Sequence, residues 1–305
     1  MKNLQNVTGG QAAAPVTAHF KGAEGNRIVA DVYGDTGSPV LLLHGGGQTR
    51  HSWRGAALTV ARSGRIAVTV DLRGHGDSEW VSSGKYRNID FAADIRSLAL
   101  ELARQHGARP VVVTASYSGI TSLLAEGAHR KTTGQYLLAG FFIIDMALTN
   151  ETEGARKVTE FMLAHAREGF ATVEEAADTV AAYLGRPRPK NPRGLQKNLR
   201  QGPDGRWRWH WDPRFMEGPF NINSDRDAID ADMRAAARDT LLPVLMVRGE
   251  SSDVMLEEHI HEFQKAAPRV RYVNVSGAHH MVVGEENDQF TQALTGFLDE
   301  AAPLR

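Results

Sequence analysis

Apolar and polar positions along the chain fall into two alternating patterns. Short apolar runs occur at Val40–Leu43, Arg65–Val70, Val111–Val113, Phe141–Ile144, Val244–Val247 and Val270–Val275. A strand covered on both faces need not alternate polar and apolar residues, so these runs predict buried strands. Between them lie longer segments with helical spacing. Asp90–Gln105 places Phe91, Ile95, Leu98 and Leu102 on one face, with Asp90 suited to cap the helix. Tyr117–Glu126, Leu256–Ala266 and Asp288–Ala301 also read as helices. Upstream, Val16–Phe20 and Arg27–Tyr33 flank Gly22-Ala23-Glu24-Gly25-Asn26 and predict a hairpin.

Apolar strands alternating with amphipathic helices predict an α/β fold, a mostly parallel sheet with helices on both faces. The pattern breaks between about Asn150 and Thr240. Strand-like runs vanish there, and helical segments appear at Glu153–Arg167 and Val173–Leu184. Arg186-Pro187-Arg188-Pro189 follows, then Trp207-Arg208-Trp209-His210-Trp211-Asp212-Pro213. Because the sheet pattern resumes afterwards, residues 151–240 are expected to be a helical lid, or cap, inserted after the sixth strand. The core is then 1–150 together with 241–305.

Composition narrows the chemistry. At 305 residues the chain can bury a full core, and its formal net charge of −1 gives no reason to expect a nucleic-acid partner. There are no cysteines, which removes disulfides, thiolate metal sites and cysteine nucleophiles. No run approaches the roughly 18 apolar residues of a membrane span. Met1–Ala14 lacks the apolar centre of a signal peptide, so a cytoplasmic location is expected. Neither metal-site spacing nor a dinucleotide fingerprint is present, and no cofactor is implied.

Three motifs sit at the C-terminal ends of predicted strands, where ligands bind in such sheets. They are Thr114-Ala115-Ser116-Tyr117-Ser118-Gly119, Ser252-Asp253-Val254 and Gly277-Ala278-His279-His280-Met281. The order Ser…Asp…His is that of a nucleophile, an orienting acid and a general base. Two further segments follow earlier strands: His44-Gly45-Gly46-Gly47-Gln48, and Asp71-Leu72-Arg73-Gly74-His75-Gly76-Asp77-Ser78.

Taken together, these five motifs make the whole chain resemble the α/β-hydrolase fold family, specifically its lid-bearing serine hydrolases. The resemblance implies Ser116 as nucleophile on a sharp strand-to-helix turn, Asp253 as the acid and His280 as the base. Ser118 and His279 stand beside two of these as alternatives, and Asp145 is a rival acid at the end of the strand Phe141–Ile144. Thr114 and Ser118 replace the glycines of G-x-S-x-G, which implies a slightly crowded turn. The oxyanion of a tetrahedral intermediate would rest on the backbone N–H groups of Gly46 and Tyr117. His44 and the Asp71–Ser78 turn are expected to be structural.

Trp53, Trp209 and Trp211 are expected to wall the substrate pocket. An extended Trp207–Trp211 segment would point three tryptophans to one face, although anchoring the lid on the core would also account for them. Arg186, Arg188, Arg193 and Arg200 suit either a solvated basic face or an acidic substrate tail. The function implied is hydrolysis of a small to medium carboxylic ester or lactone through an acyl-enzyme, with a small-molecule substrate as partner. The serine at position 116 argues against relatives with an aspartate nucleophile. A carbon–carbon bond hydrolase, a perhydrolase or a hydrolase-derived small-molecule receptor would use the same residues.

Overall fold

A computed structural model describes residues 14–148, 153–185, 187–252, 254–276 and 288–304. In its first half the strands are β1 (Val16–Lys21), β2 (Arg27–Tyr33), β3 (Pro39–Leu43), β4 (Ile66–Val70), β5 (Val111–Ala115) and β6 (Gly140–Ile144). Those that follow are β7 (Leu199–Gln201), β8 (Trp207–Trp209), β9 (Val244–Gly249) and β10 (Arg271–Val275). Eight of them form one sheet in the order β1-β2-β4-β3-β5-β6-β9-β10. Only β2 runs against its neighbours, so the sheet is mostly parallel, as the apolar strands predict.

The sheet is covered on both faces because successive side chains of each strand point to opposite sides. Leu41, Leu43, Val112, Phe141 and Ile143 enter one apolar cluster together with α2 (Asn88–His106) and α3 (Tyr117–Thr133). Val40, Leu42, Val111, Val113, Phe142 and Ile144 enter the other, with α1 (Arg54–Arg62) and α9 (Asp288–Ala301). On that second face Phe142 is held edge-on between Phe290 and Phe297, with ring centroids 5.8 Å away in each case.

Between β6 and β9 the chain builds the lid. It contains α4 (Glu153–Ala164), α5 (Val173–Tyr183), the two-stranded ribbon β7–β8, the short α6 (Arg214–Glu217) and α7 (Arg226–Asp239). α4 and α5 match the helices expected from the sequence. The ribbon, α6 and α7 are additions to that expectation, as is α1. α7 packs against α3 and against α8 (Glu257–Ala266), so it joins the layer that covers the sheet. Among the described residues, no helix is long and apolar enough to cross a membrane.

Candidate active site

β5 ends at Ala115, and the chain turns through Ser116 directly into α3. Ser116 has φ 50° and ψ −117°, a conformation residues other than glycine rarely adopt. Such a geometry costs about 1–3 kcal/mol and persists only where its surroundings fix it. They do so here. The Ser116 N–H donates to the Ile144 carbonyl at 2.8 Å, tying the turn to β6. The buried Ser118 hydroxyl accepts from the Ala115 N–H at 3.0 Å and donates to the Leu43 carbonyl at 2.8 Å. Ser118 is therefore a brace whose hydroxyl is already committed. Thr114, which replaces the motif's first glycine, lies within β5, where a β-branched residue is at ease.

The loop after β3 lies along this turn. A Cβ built on Gly45 would stand 3.7 Å from Ser116 Cβ, and one on Gly46 would stand 3.9 Å from Tyr117 Cβ. Among the described residues, no group accepts a hydrogen bond from the Gly46 or Tyr117 amide. The next amide is used differently: Gly47, at φ +76°, donates its N–H to His75 Nε2 at 3.1 Å.

Two buried histidines hold this loop in place. His75 receives Gly47 on Nε2, and its Nδ1 lies 2.9 Å from the Arg73 carbonyl, so the ring carries its proton on Nδ1. In His44, Nε2 accepts from the Leu72 N–H at 3.0 Å and Nδ1 lies 2.7 Å from the Gly45 carbonyl, which fixes the same tautomer. Burial disfavours the charged form of both rings. His44 is pushed down to about 4 and His75 to about 3, the neighbouring His44 adding to the shift of the latter. Both are neutral braces at physiological pH.

The Asp71–Ser78 turn is likewise structural. Asp71 accepts the Arg50 N–H at 2.6 Å and the Asp77 N–H at 2.9 Å, and its carboxylate also pairs with the Arg50 guanidinium. Arg73 forms a two-bond pair with Asp94, each bond 2.7 Å long. Gly76, at φ +51°, is obligatory, since a Cβ there would lie 2.3 Å from an Asp71 oxygen. This turn also fastens the lid. The Gly76 N–H donates to the His210 carbonyl at 2.7 Å, and the Asp212 N–H to the Gly74 carbonyl at 2.8 Å. Tyr86 donates its hydroxyl to the Asp212 carboxylate at 2.6 Å.

A cavity of about 1440 Å³ opens over Ser116. Gly45, Gly46, Ser116 and Tyr117 line it from the core, and Phe161, Met162, Trp209, Trp211 and Phe215 line it from the lid. Trp209 and Trp211, expected at the substrate pocket, both line this cavity. Trp53 does not: it is fully buried in the cluster shared with α1 and α9 and is absent from the cavity wall. The reason is its position in the 3-10 turn Arg50–Trp53, which directs it under the sheet toward Val60. Trp207 is also absent from the wall, and its backbone pairs with Phe170 instead. Sequence reasoning missed Phe161, Met162, Phe215 and Arg226, because wall positions in a lid depend on how its helices dock.

Asp145 is the other described residue, besides Ser116, with a positive φ off glycine, at 51°. It lies at the end of β6, lines the same cavity and accepts the Ser252 hydroxyl at 2.6 Å. Asp253, His279 and His280 lie outside the described residues. Arg188 pairs with Asp178, Arg200 stacks on Trp80 at 5.3 Å and Arg193 is exposed, while Arg186 lies outside the described residues. Among the described residues no cluster of His, Asp and Glu could hold a metal ion.

An eight-stranded, mostly parallel sheet, a strained serine at the end of its fifth strand and a lid after the sixth define an α/β-hydrolase. The chain belongs to the alpha/beta hydrolase family, whose model matches residues 40–293. It is 28% identical over 271 residues to Esterase Rv0045c of Mycobacterium tuberculosis, covering 88% of this chain and 85% of that one. It is also 28% identical over 270 residues to the 2-(acetamidomethylene)succinate hydrolase of Mesorhizobium japonicum, covering 87% of this chain and 90% of that one. The solved structure of E-2-(acetamidomethylene)succinate hydrolase superimposes with a TM-score of 0.76 at 22% identity, covering 93% and 99% of the two chains.

Proposed function

We propose that the protein is a serine hydrolase that cleaves a carboxylic ester or lactone through an acyl-enzyme on Ser116. The observation that carries this reading is the strained turn that presents Ser116 to a large cavity beside the unengaged amides of Gly46 and Tyr117. Esterase Rv0045c, similar over most of the chain, supports the same class.

In this reading the Ser116 hydroxyl oxygen attacks the acyl carbon while His280 takes its proton. The carbonyl electron pair moves onto oxygen, and the resulting oxyanion receives hydrogen bonds from the Gly46 and Tyr117 amides. Collapse of the intermediate breaks the bond to the alcohol, which leaves with the proton from His280. Water then attacks the acyl-serine with His280 again as base, releasing the acid and restoring Ser116. Asp253 orients His280 and stabilises its charged form. Small-molecule pockets are commonly about 300–1,000 Å³, so the cavity has room for more than a short acyl chain.

p-Nitrophenyl esters from acetate to octanoate test this reading. Turnover that Ser116→Ala abolishes supports it, and turnover that survives Ser116→Ala overturns it. Asp145 is a second reading for the acid, favoured by its position beside the Ser116 turn and its bond to Ser252. Asp253→Asn and Asp145→Asn decide between them: the true acid's variant loses kcat, about 10⁴-fold in serine proteases. Absence of turnover on every chain length would favour a carbon–carbon bond hydrolase or a ligand receptor with the same residues, whereas a perhydrolase shares the acyl-enzyme and is told apart by peracid formed on adding hydrogen peroxide.

A further inference from the structure

Arg226 opens α7 and lines the cavity that Ser116 faces. Its side chain has no hydrogen-bond or ion-pair partner among the described residues, and its Nη2 is shut off from solvent without an acceptor. Arg226 as a whole is half-buried, but leaving a shielded N–H of a charged group unmatched is costly, and a folded chain of this composition has many carboxylates with which to avoid it. Asp227, the next residue, is exposed and does not pair with Arg226, and several other carboxylates on or beside α7 are engaged elsewhere. Asp225 accepts from the Asn88 and Ile89 amides at the start of α2, and Asp230 pairs with Arg234. At the cavity rim, Glu153 and Glu160 both hold Arg156. The Tyr117 hydroxyl, on the same wall, is a second buried group without a partner.

We infer that Arg226 is the carboxylate-recognition residue of this cavity, and that the substrate is an ester carrying a free carboxylate remote from the scissile bond. This rests on the proposed hydrolysis at Ser116. A planar guanidinium offers paired N–H donors matched to a carboxylate, and inside a cavity with apolar walls that pairing is weakly screened. The carboxylate supplies the counter-charge that α7 and the rim withhold. Of the arginines picked out by the sequence, Arg188, Arg193 and Arg200 do not line this cavity.

The test uses monomethyl succinate, glutarate and adipate, each against its dimethyl ester. Binding is measured calorimetrically in the Ser116→Ala protein, which separates it from turnover, and kcat/KM is measured in the parent. The expected result is that at least one monomethyl ester binds and is cleaved in preference to its dimethyl partner. Arg226→Gln should reduce that preference by about 10- to 100-fold, with Arg226→Lys intermediate. Failure of every monomethyl ester to bind, or a preference that both Arg226 variants leave unchanged, overturns the inference. If Ser116→Ala leaves cleavage intact, the serine-hydrolase reading fails, while the binding data still decide the role of Arg226.

Discussion

At the scale of single residues, the site depends on backbone geometry as much as on reactive groups. Ser116 is held at positive φ by Ile144 and by the Ser118 brace. Removing that brace with Ser118→Ala leaves the Ala115 amide without its acceptor and should cost about 1–3 kcal/mol in urea unfolding. Gly76→Ala should be more damaging. It places a Cβ against the Asp71 carboxylate at a strained φ, disturbing the turn that gathers Arg50, Asp71 and Asp77. A loss of at least 1–3 kcal/mol is expected from the backbone alone, read from the midpoint of chemical denaturation. The sequence pointed to Ser116 through its motif and the order Ser…Asp…His, since a serine between a strand and a helix would otherwise read as an ordinary N-cap. It could not assign Ser118, whose role appears only when Leu43, 75 residues away in the chain, supplies an acceptor.

At the scale of elements, the central strands were legible because they carry apolar residues on both faces. β3, β5 and β6 have every residue buried. α1 was not legible because it is short, with only Ala56, Ala57 and Val60 buried and no large apolar residue before Leu58 to mark a stripe. The β7–β8 ribbon was hidden because three-residue strands have almost no periodicity to read. α7 fell within the stretch expected to be lid, yet it packs on α3 and α8, a partnership set by tertiary contact. Trp53 shows the same limit, since its residue type suits a pocket wall while its turn sends it into the core. Phe142 offers a direct measure of how tightly the second face is packed. Phe142→Ala should destabilise the protein by about 3–5 kcal/mol, because Phe290 and Phe297 would face the void.

At the scale of the whole molecule, stability is tied to pH through His44 and His75. Their folded pKa values, about 4 and about 3, lie below the ordinary value of 6.5 for a free imidazole. The unfolded chain therefore binds protons below pH 6.5 that the folded chain refuses. The stabilisation is fully present above pH 6.5 and is lost as pH falls toward 4 and 3, a change on the order of several kcal/mol. Thermal melts between pH 7 and 4 should show Tm falling with acid. His75→Gln, which can still accept from Gly47 without titrating, should flatten that slope.

The fastening of Trp207–Asp212 to the Asp71–Ser78 turn governs how anything enters. Three hydrogen bonds, from Gly76, Asp212 and Tyr86, stitch one margin of the cover to the core. A cover sewn along one margin behaves as a door with a fixed jamb, so traffic to Ser116 should pass on the α4–α5 side. Hydrogen exchange should accordingly find the Gly76 and Asp212 amides among the slowest of this region and those of α4 and α5 distinctly faster. The motif usually read as scaffolding would then also decide from which direction a substrate arrives, and so which of its ends reaches Ser116 first.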